Sequence, residues 1–235
     1  MERHISRRHG LRLIAAILGG TLGLMLSARR LAAWLQLWLD VPPPIQLIII
    51  PRPAWDARAP NHEAPDEYGF AASPTDPAWY VYPGSLAEVY TTVVIHHSAM
   101  TQDASETMRN IQDLHLDVNQ WADIGYHYGI DQDGHVYEGR DIGSRGASVT
   151  GHNTGTIGVV VMGNFQVDQP QPAQLATLQT LVNWLTEAYT LTHLAGHSEF
   201  DTHTVCPGQH LAVYLDALAQ NAGLQRGTGG YVAPT

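Results

Sequence analysis

Two imidazoles and one thiol stand in three short motifs far apart in this chain. They are His96 in Val94-Ile95-His96-His97-Ser98-Ala99, His197 in Gly196-His197-Ser198-Glu199, and Cys206 in Val205-Cys206-Pro207-Gly208. Two histidines and a cysteine make a ligand set for one Zn2+ ion that leaves the fourth tetrahedral position open for water, as catalytic zinc sites do. Between them, Trp121-Ala122-Asp123-Ile124-Gly125-Tyr126-His127-Tyr128 supplies a phenol, Tyr126, behind a glycine at a strand start, where a side chain can enter a cleft. The pattern reads as a metal-dependent hydrolase. Plainer readings stand beside it. The chain has 13 histidines, so a pair can arise by coincidence, and a single cysteine, which can be a ligand, a nucleophile or an inert core thiol, is usually the last of these. Tyr126 could be a core aromatic.

The surrounding pattern predicts the elements that would position these groups. The β-branched run Val89–Ile95 predicts a central strand that ends at His96, and 156–162 predicts a second buried strand. Residues 105–116 space Met108, Ile111, Leu114 and His115 on one helical face. Tyr126–Asp131 and His135–Glu138 flank Gln132-Asp133-Gly134, a hairpin signal. Residues 172–189 predict an amphipathic helix with Leu175, Leu178, Leu181, Val182 and Leu185 inward, followed by a short strand to His197 and a last helix over 210–219. Strands interleaved with helices imply an α/β domain around a mixed central sheet.

The chain is long enough for one domain with appendages. Charge is uneven. Residues 1–12 carry Arg3, Arg7, Arg8 and Arg12 against Glu2, and Arg29 and Arg30 follow; from Leu31 onward 6 arginines face 21 acidic residues. An acidic body argues against a nucleic-acid partner. All twelve basic residues are arginine, which excludes lysine chemistry. Leu13–Ala28 is a run of sixteen residues without charge behind a basic stretch, the shape of a signal peptide or an uncleaved signal anchor. Leu26 would lie where cleavage after Ala28 prefers a small residue, which favours the anchor over a secreted product. An amphipathic helix packed on the domain is the other option. Positive charge ahead of the span puts the following domain outside. The expected organisation is an anchor with an apolar helix over 1–39, a Pro-rich linker and leading strand over 40–49, the main domain over 50–220, and a flexible tail over 221–235. Residues 58–84 are expected as a surface loop pinned by Trp79, Tyr80 and Tyr82.

With these motifs in order, the chain resembles the zinc-dependent N-acetylmuramoyl-L-alanine amidases of the type shared by phage T7 lysozyme and the peptidoglycan recognition proteins. Further landmarks are Arg52-Pro53-Ala54-Trp55, Asp133-Gly134-His135-Val136-Tyr137-Glu138-Gly139-Arg140, His152-Asn153, Thr156-Ile157-Gly158 and Met162-Gly163-Asn164-Phe165. The resemblance implies the peptidoglycan recognition protein-like amidase fold. It also implies that His96, His197 and Cys206 bind one Zn2+, and that Tyr126 stabilises the oxyanion formed on the attacked amide. Thr204 takes the place of an assisting lysine in the phage enzyme. The scissile bond would join N-acetylmuramic acid to the L-alanine of a peptidoglycan stem. His115, Trp121, Arg140, His152 and Asn153 are the substrate-binding candidates. Arg140 could equally be a structural arginine satisfying Glu138 or a turn, and His115 could be explained by the helix face. Ser148 stands where many members have a histidine, and Gln120 replaces a glycine. His97, His127 and His203 are expected as supporting residues, with His203 the nearest alternative fourth ligand. The rival function is a peptidoglycan-binding sensor of the same fold, whose members typically lack the thiol ligand.

Overall fold

The computed structural model describes residues 47–64, 79–100 and 107–231. The expected anchor, the Pro-rich linker and residues 65–78 lie outside the described residues. Among the described residues no helix is long and apolar enough to cross a membrane.

One seven-stranded sheet organises the domain. Its strands are β1 (Ile49–Ile50), β2 (Thr92–His97), β3 (Tyr128–Ile130), β4 (Val136–Glu138), β5 (Thr156–Val161), β6 (His193–Gly196) and β7 (Gln225–Arg226), in the order β1-β4-β3-β5-β2-β6-β7. Only β3 and β4 pair antiparallel, across the expected hairpin; every other neighbouring pair is parallel. The helices are α1 (Leu86–Val89), α2 (Met108–Asp113), α3 (Pro172–Tyr189), α4 (Gln209–Ala212) and α5 (Leu215–Asn221).

Parallel strands covered on both faces read as continuous apolar runs, and β2 and β5 are buried throughout. Alternation sorts their side chains. Val93, Ile95, Ile157, Val159 and Val161 face a core closed by Leu178, Leu181, Val182 and Leu185 of α3 and by Leu215 and Leu218 of α5. Each such side chain contributes about 1.5–3 kcal/mol by burial. Val160 and Met162 face the other way, against Met108 and Ile111 of α2 and Ile124. α3 begins at Pro172, as its fixed φ favours, and Gln174 accepts from the Gln171 N–H at 3.0 Å.

Several expectations shift. Leu86–Val89 closes a helical turn, so β2 starts at Thr92 and runs through His97. α2 continues into a π-turn over Leu114–Val118, whose extra residue changes the phase: His115 is buried but Leu114 is exposed. Ala212 and Leu215 bound a break that divides the expected last helix in two. The chain beyond Asn221, read as a tail, returns to the sheet as β7 beside β6. Tyr82 is buried as expected and its hydroxyl accepts from the Gly155 N–H, while Trp79 lies over the Arg140 guanidinium.

Two polar anchors join these layers. The Asp123 carboxylate, fully buried, pairs with Arg52 at 2.9 Å and accepts from Gln112 of α2 at 2.6 Å and from the Ile124 N–H at 2.8 Å. His127 accepts the Gly158 N–H on Nδ1 at 3.1 Å and donates from Nε2 to the Ser144 carbonyl at 3.0 Å. Burial first, with Arg140 adding, holds His127 down at about 4. His115 accepts the Gly125 N–H at 2.9 Å and is held at about 3 by burial and then by Arg140. Protonating either ring would remove a backbone acceptor. Both pKa values lie below that of a free histidine, so between about pH 6.5 and 4 the unfolded chain binds more protons than the folded one. These two rings should therefore leave the unfolding free energy unchanged just above pH 6.5 and lower it as pH drops through that window, by up to about 1.4 kcal/mol per pH unit for each ring. Urea denaturation at pH 7, 6, 5 and 4 measures this; a midpoint unchanged from pH 7 to pH 4 would contradict it.

Candidate metal centre

β2 and β6 run side by side, and their pairing ends at Ile95 and Gly196. The next residue of each is a histidine. His96 and His197 therefore emerge together from one end of the sheet, with ring centroids 4.7 Å apart. Alternation turns His96 away from the α3 core, where Val93 and Ile95 point, and it is fully buried. His197 opens a 3-10 turn, His197–Glu199.

Cys206 arrives on the loop after this turn. The Ser198 N–H donates to the Cys206 carbonyl at 2.7 Å, and Cys206 Sγ accepts from the His97 N–H at 3.4 Å. Gly208 makes the loop possible: its φ is 89°, and a Cβ there would lie 2.4 Å from the Phe165 carbonyl carbon. His97 is a brace, its Nδ1 accepting the Phe165 N–H at 3.1 Å.

The three residues each offer a ligand atom, and these atoms lie within 4.8 Å of one another. Zinc bonds of about 2.1 Å to nitrogen and 2.3 Å to sulfur give a tetrahedral N···S edge of about 3.6 Å. His96 Nδ1 and Cys206 Sγ are 3.6 Å apart. The other ring nitrogen, His96 Nε2, is buried and has no hydrogen-bond partner among the described residues. Two imidazoles and a thiol suit zinc among the common divalent ions. Burial, and then His197, His97 and His115, holds His96 well below its ordinary value; burial also lowers His197. Burial pushes the Cys206 thiol up to about 12. His203 is not a fourth ligand: it is almost fully exposed, with Nδ1 3.0 Å from Asp201 Oδ1.

Tyr126 stands beside the cluster, its ring 5.0 Å from that of His96. Burial, and then Cys206, raises the phenol above its ordinary value, so it is a donor at neutral pH. Gly158 makes room for Ser148: a Cβ there would meet Ser148 Oγ at 2.5 Å, while the tyrosine ring at 3.7 Å would be in ordinary contact. The Tyr126 ring lies 5.5 Å from His115, and His115 lies 4.5 Å from Trp121. A row of rings thus runs from Trp121 through His115 and Tyr126 to His96 and His197. Thr204 Oγ1 accepts from the Cys206 N–H at 3.1 Å.

The other sequence candidates are placed differently. Arg140 is buried and donates to the carbonyls of Ile124, Arg145 and Asp123, which ties it to loop backbone. Asn153 is fully buried, and its Oδ1 accepts from Ser148 and Val149 N–H, both at 2.8 Å. His152 belongs to a separate ring group, 5.1 Å from Phe200 and 4.9 Å from Tyr231. Arg226, which drew no attention in the sequence, reaches Glu199 in the His197 turn at 2.8 Å. Its signal was isolation, since it is the one basic residue after Arg145.

The profile of the N-acetylmuramoyl-L-alanine amidase family matches residues 87–209. Peptidoglycan-recognition protein SC2 of Drosophila simulans is 36% identical over 135 residues, 54% of this chain and 73% of that protein. Two solved structures are similar in sequence and fold, each 27% identical. N-acetylmuramoyl-L-alanine amidase LysC from Clostridium intestinale aligns over 62% of this chain and 93% of its own, with a TM-score of 0.53. A variant of Drosophila PGRP-LB in complex with tracheal cytotoxin aligns over 71% and 92%, with a TM-score of 0.56.

An ion entering the cluster meets imidazoles already neutral and a thiol still protonated. Uptake of one zinc ion at pH 7 should release about one proton from the ligands, and affinity should rise about tenfold per pH unit between pH 6 and 8. Calorimetric titration in two buffers of different ionisation enthalpy counts the protons. Release of more than two, beyond the thiol and a metal-bound water, would mean that the histidines are charged in the free protein.

Proposed function

Because this chain belongs to the N-acetylmuramoyl-L-alanine amidase family, we propose that it is a zinc-dependent hydrolase. Its substrate is the amide joining the lactyl group of N-acetylmuramic acid to L-alanine of a peptidoglycan stem. One observation carries the reading: His96, His197 and Cys206 converge within 4.8 Å with the Tyr126 ring alongside. A thiol and two imidazoles without a fourth protein ligand among the described residues fit a catalytic rather than a structural site.

His96, His197 and Cys206 would hold the ion, and Zn2+ when bound supplies a Lewis acid that lowers the pKa of water and polarises a carbonyl. Tyr126 donates its phenolic proton as a hydrogen bond to the amide oxygen as that oxygen gains charge. The raised pKa suits this, because the phenol stays protonated while donating. Thr204 orients the Cys206 loop through the Cys206 N–H. His115 and Trp121 form the wall along which a stem peptide lies, leading from the cluster by way of Tyr126. Arg140 and Asn153 act indirectly, by fixing the loops that shape this wall. His152, with Phe200 and Tyr231, edges the site on the His197 side. Tracheal cytotoxin, bound by the PGRP-LB variant, supports a muropeptide as the ligand class. The uncharged run Leu13–Ala28 behind arginines supports export, with the domain tethered outside the membrane by that segment.

The protein incubated with purified peptidoglycan should release stems with free L-alanine amino termini. Release should vanish with a zinc chelator and in Cys206→Ala. Tyr126→Phe should lower kcat by about 10²–10³-fold with little change in KM. Binding to peptidoglycan with no release from the zinc-loaded protein would establish the sensor and overturn the enzyme.

A further inference from the structure

We infer that the Glu199–Arg226 ion pair positions His197, which makes β7 a working part of the metal site; the inference rests on the zinc reading above. The ligand turn has no long element to hold it. Its geometry is set by the Glu199 carboxylate, whose Oε2 accepts the Gly196 N–H at 2.6 Å, one residue before the ligand. A charge-assisted bond of that length fixes the backbone where β6 turns into the ligand position. Left alone, a half-exposed carboxylate would rotate into water. Arg226 Nη1 holds the same oxygen at 2.8 Å.

Arg226 is itself clamped. Its Nη1 donates to the Leu194 carbonyl at 2.7 Å and its Nε to Asp216 Oδ1 at 2.8 Å, while the Gly227 N–H donates to the Leu194 carbonyl at 3.0 Å. One guanidinium therefore joins β6, the His197 turn and α5. The Ser198 N–H bond to the Cys206 carbonyl passes the constraint on to the second ligand loop. Arg226 lies beyond the segment matched by the family profile, which ends at residue 209.

Outer partners that orient a ligand typically change metal affinity 10–100-fold when removed. On the full chain, the zinc Kd is measured by competition with a chromophoric chelator, and the visible spectrum of the cobalt form reports ligand geometry. Glu199→Ala and Arg226→Ala should weaken zinc about 10–100-fold and alter the cobalt spectrum. Glu199→Gln, which keeps an acceptor for the Gly196 N–H, and Arg226→Lys, which keeps the charge, should lose less. Asp216→Ala, which leaves the Glu199 contact in place, should stay within about twofold of the parent. Alanine variants that melt earlier but bind zinc within twofold of the parent would show the pair to be merely structural and overturn the inference. Should the alanine variants fail to fold, Arg226→Gln, which keeps a donor for the Leu194 carbonyl but removes the charge facing Glu199, decides by the same criterion. A parent that binds no zinc would overturn the metal reading itself, and the inference with it.

Discussion

Parallel pairing between β2 and β6 stops at Ile95 and Gly196, and the candidate metal centre depends on where it stops. His96 and His197, 101 residues apart in the chain, become neighbours because each follows the last residue of the β2–β6 pairing. Side chains alternate with period two, so a slip of one residue in β2 would turn His96 into the α3 core and bring His97 to the site. The buried, β-branched character of β2 and β5 is what makes such a slip costly. The register is a packing property before it is a functional one.

The same burial sets the chemistry of the groups it encloses. Histidine is usually the residue that titrates near neutrality, yet His97, His115 and His127 each accept a backbone N–H on Nδ1, from Phe165, Gly125 and Gly158. A ring in that role must stay neutral, and burial keeps it so. Cys206 is affected in the opposite sense, because burial retains its proton. The free cluster is therefore uncharged, which a low-dielectric site tolerates. A cation that displaces the thiol proton gains a thiolate partner. Tyr126 shares the same surroundings and remains a donor.

Much of the site was legible in the sequence because it is built from residue types with few other uses in that company. His96, His197, Cys206, Tyr126, His115 and Trp121 fall together as their motifs suggested. The rest depends on three-dimensional detail that spacing does not carry. Arg140 has the chemistry to meet a carboxylate, but three loop carbonyls surround it first. Asn153 offers an amide to a groove, yet its oxygen closes the turn just before it. Leu114 follows the helical period until the π-turn shifts the phase. β7 has only two residues, too few to show any alternation, so its return to the sheet is visible only through its partner β6. The order of β2 to β6 and of the longer helices between them, by contrast, follows from hydrophobic runs and was readable from them.

The sheet's outer strands have a consequence of another kind. β1 and β7 are both only two residues long. An unpaired strand edge is a template on which another molecule can add a strand, and the hazard grows with its length. Here β1 runs straight into Pro51, which has no N–H to donate, and β7 carries the charged Arg226. A seven-stranded sheet rich in valine and isoleucine would otherwise be prone to edge-to-edge association. Among the described residues, ending it on two such stubs leaves a second copy little edge to pair with.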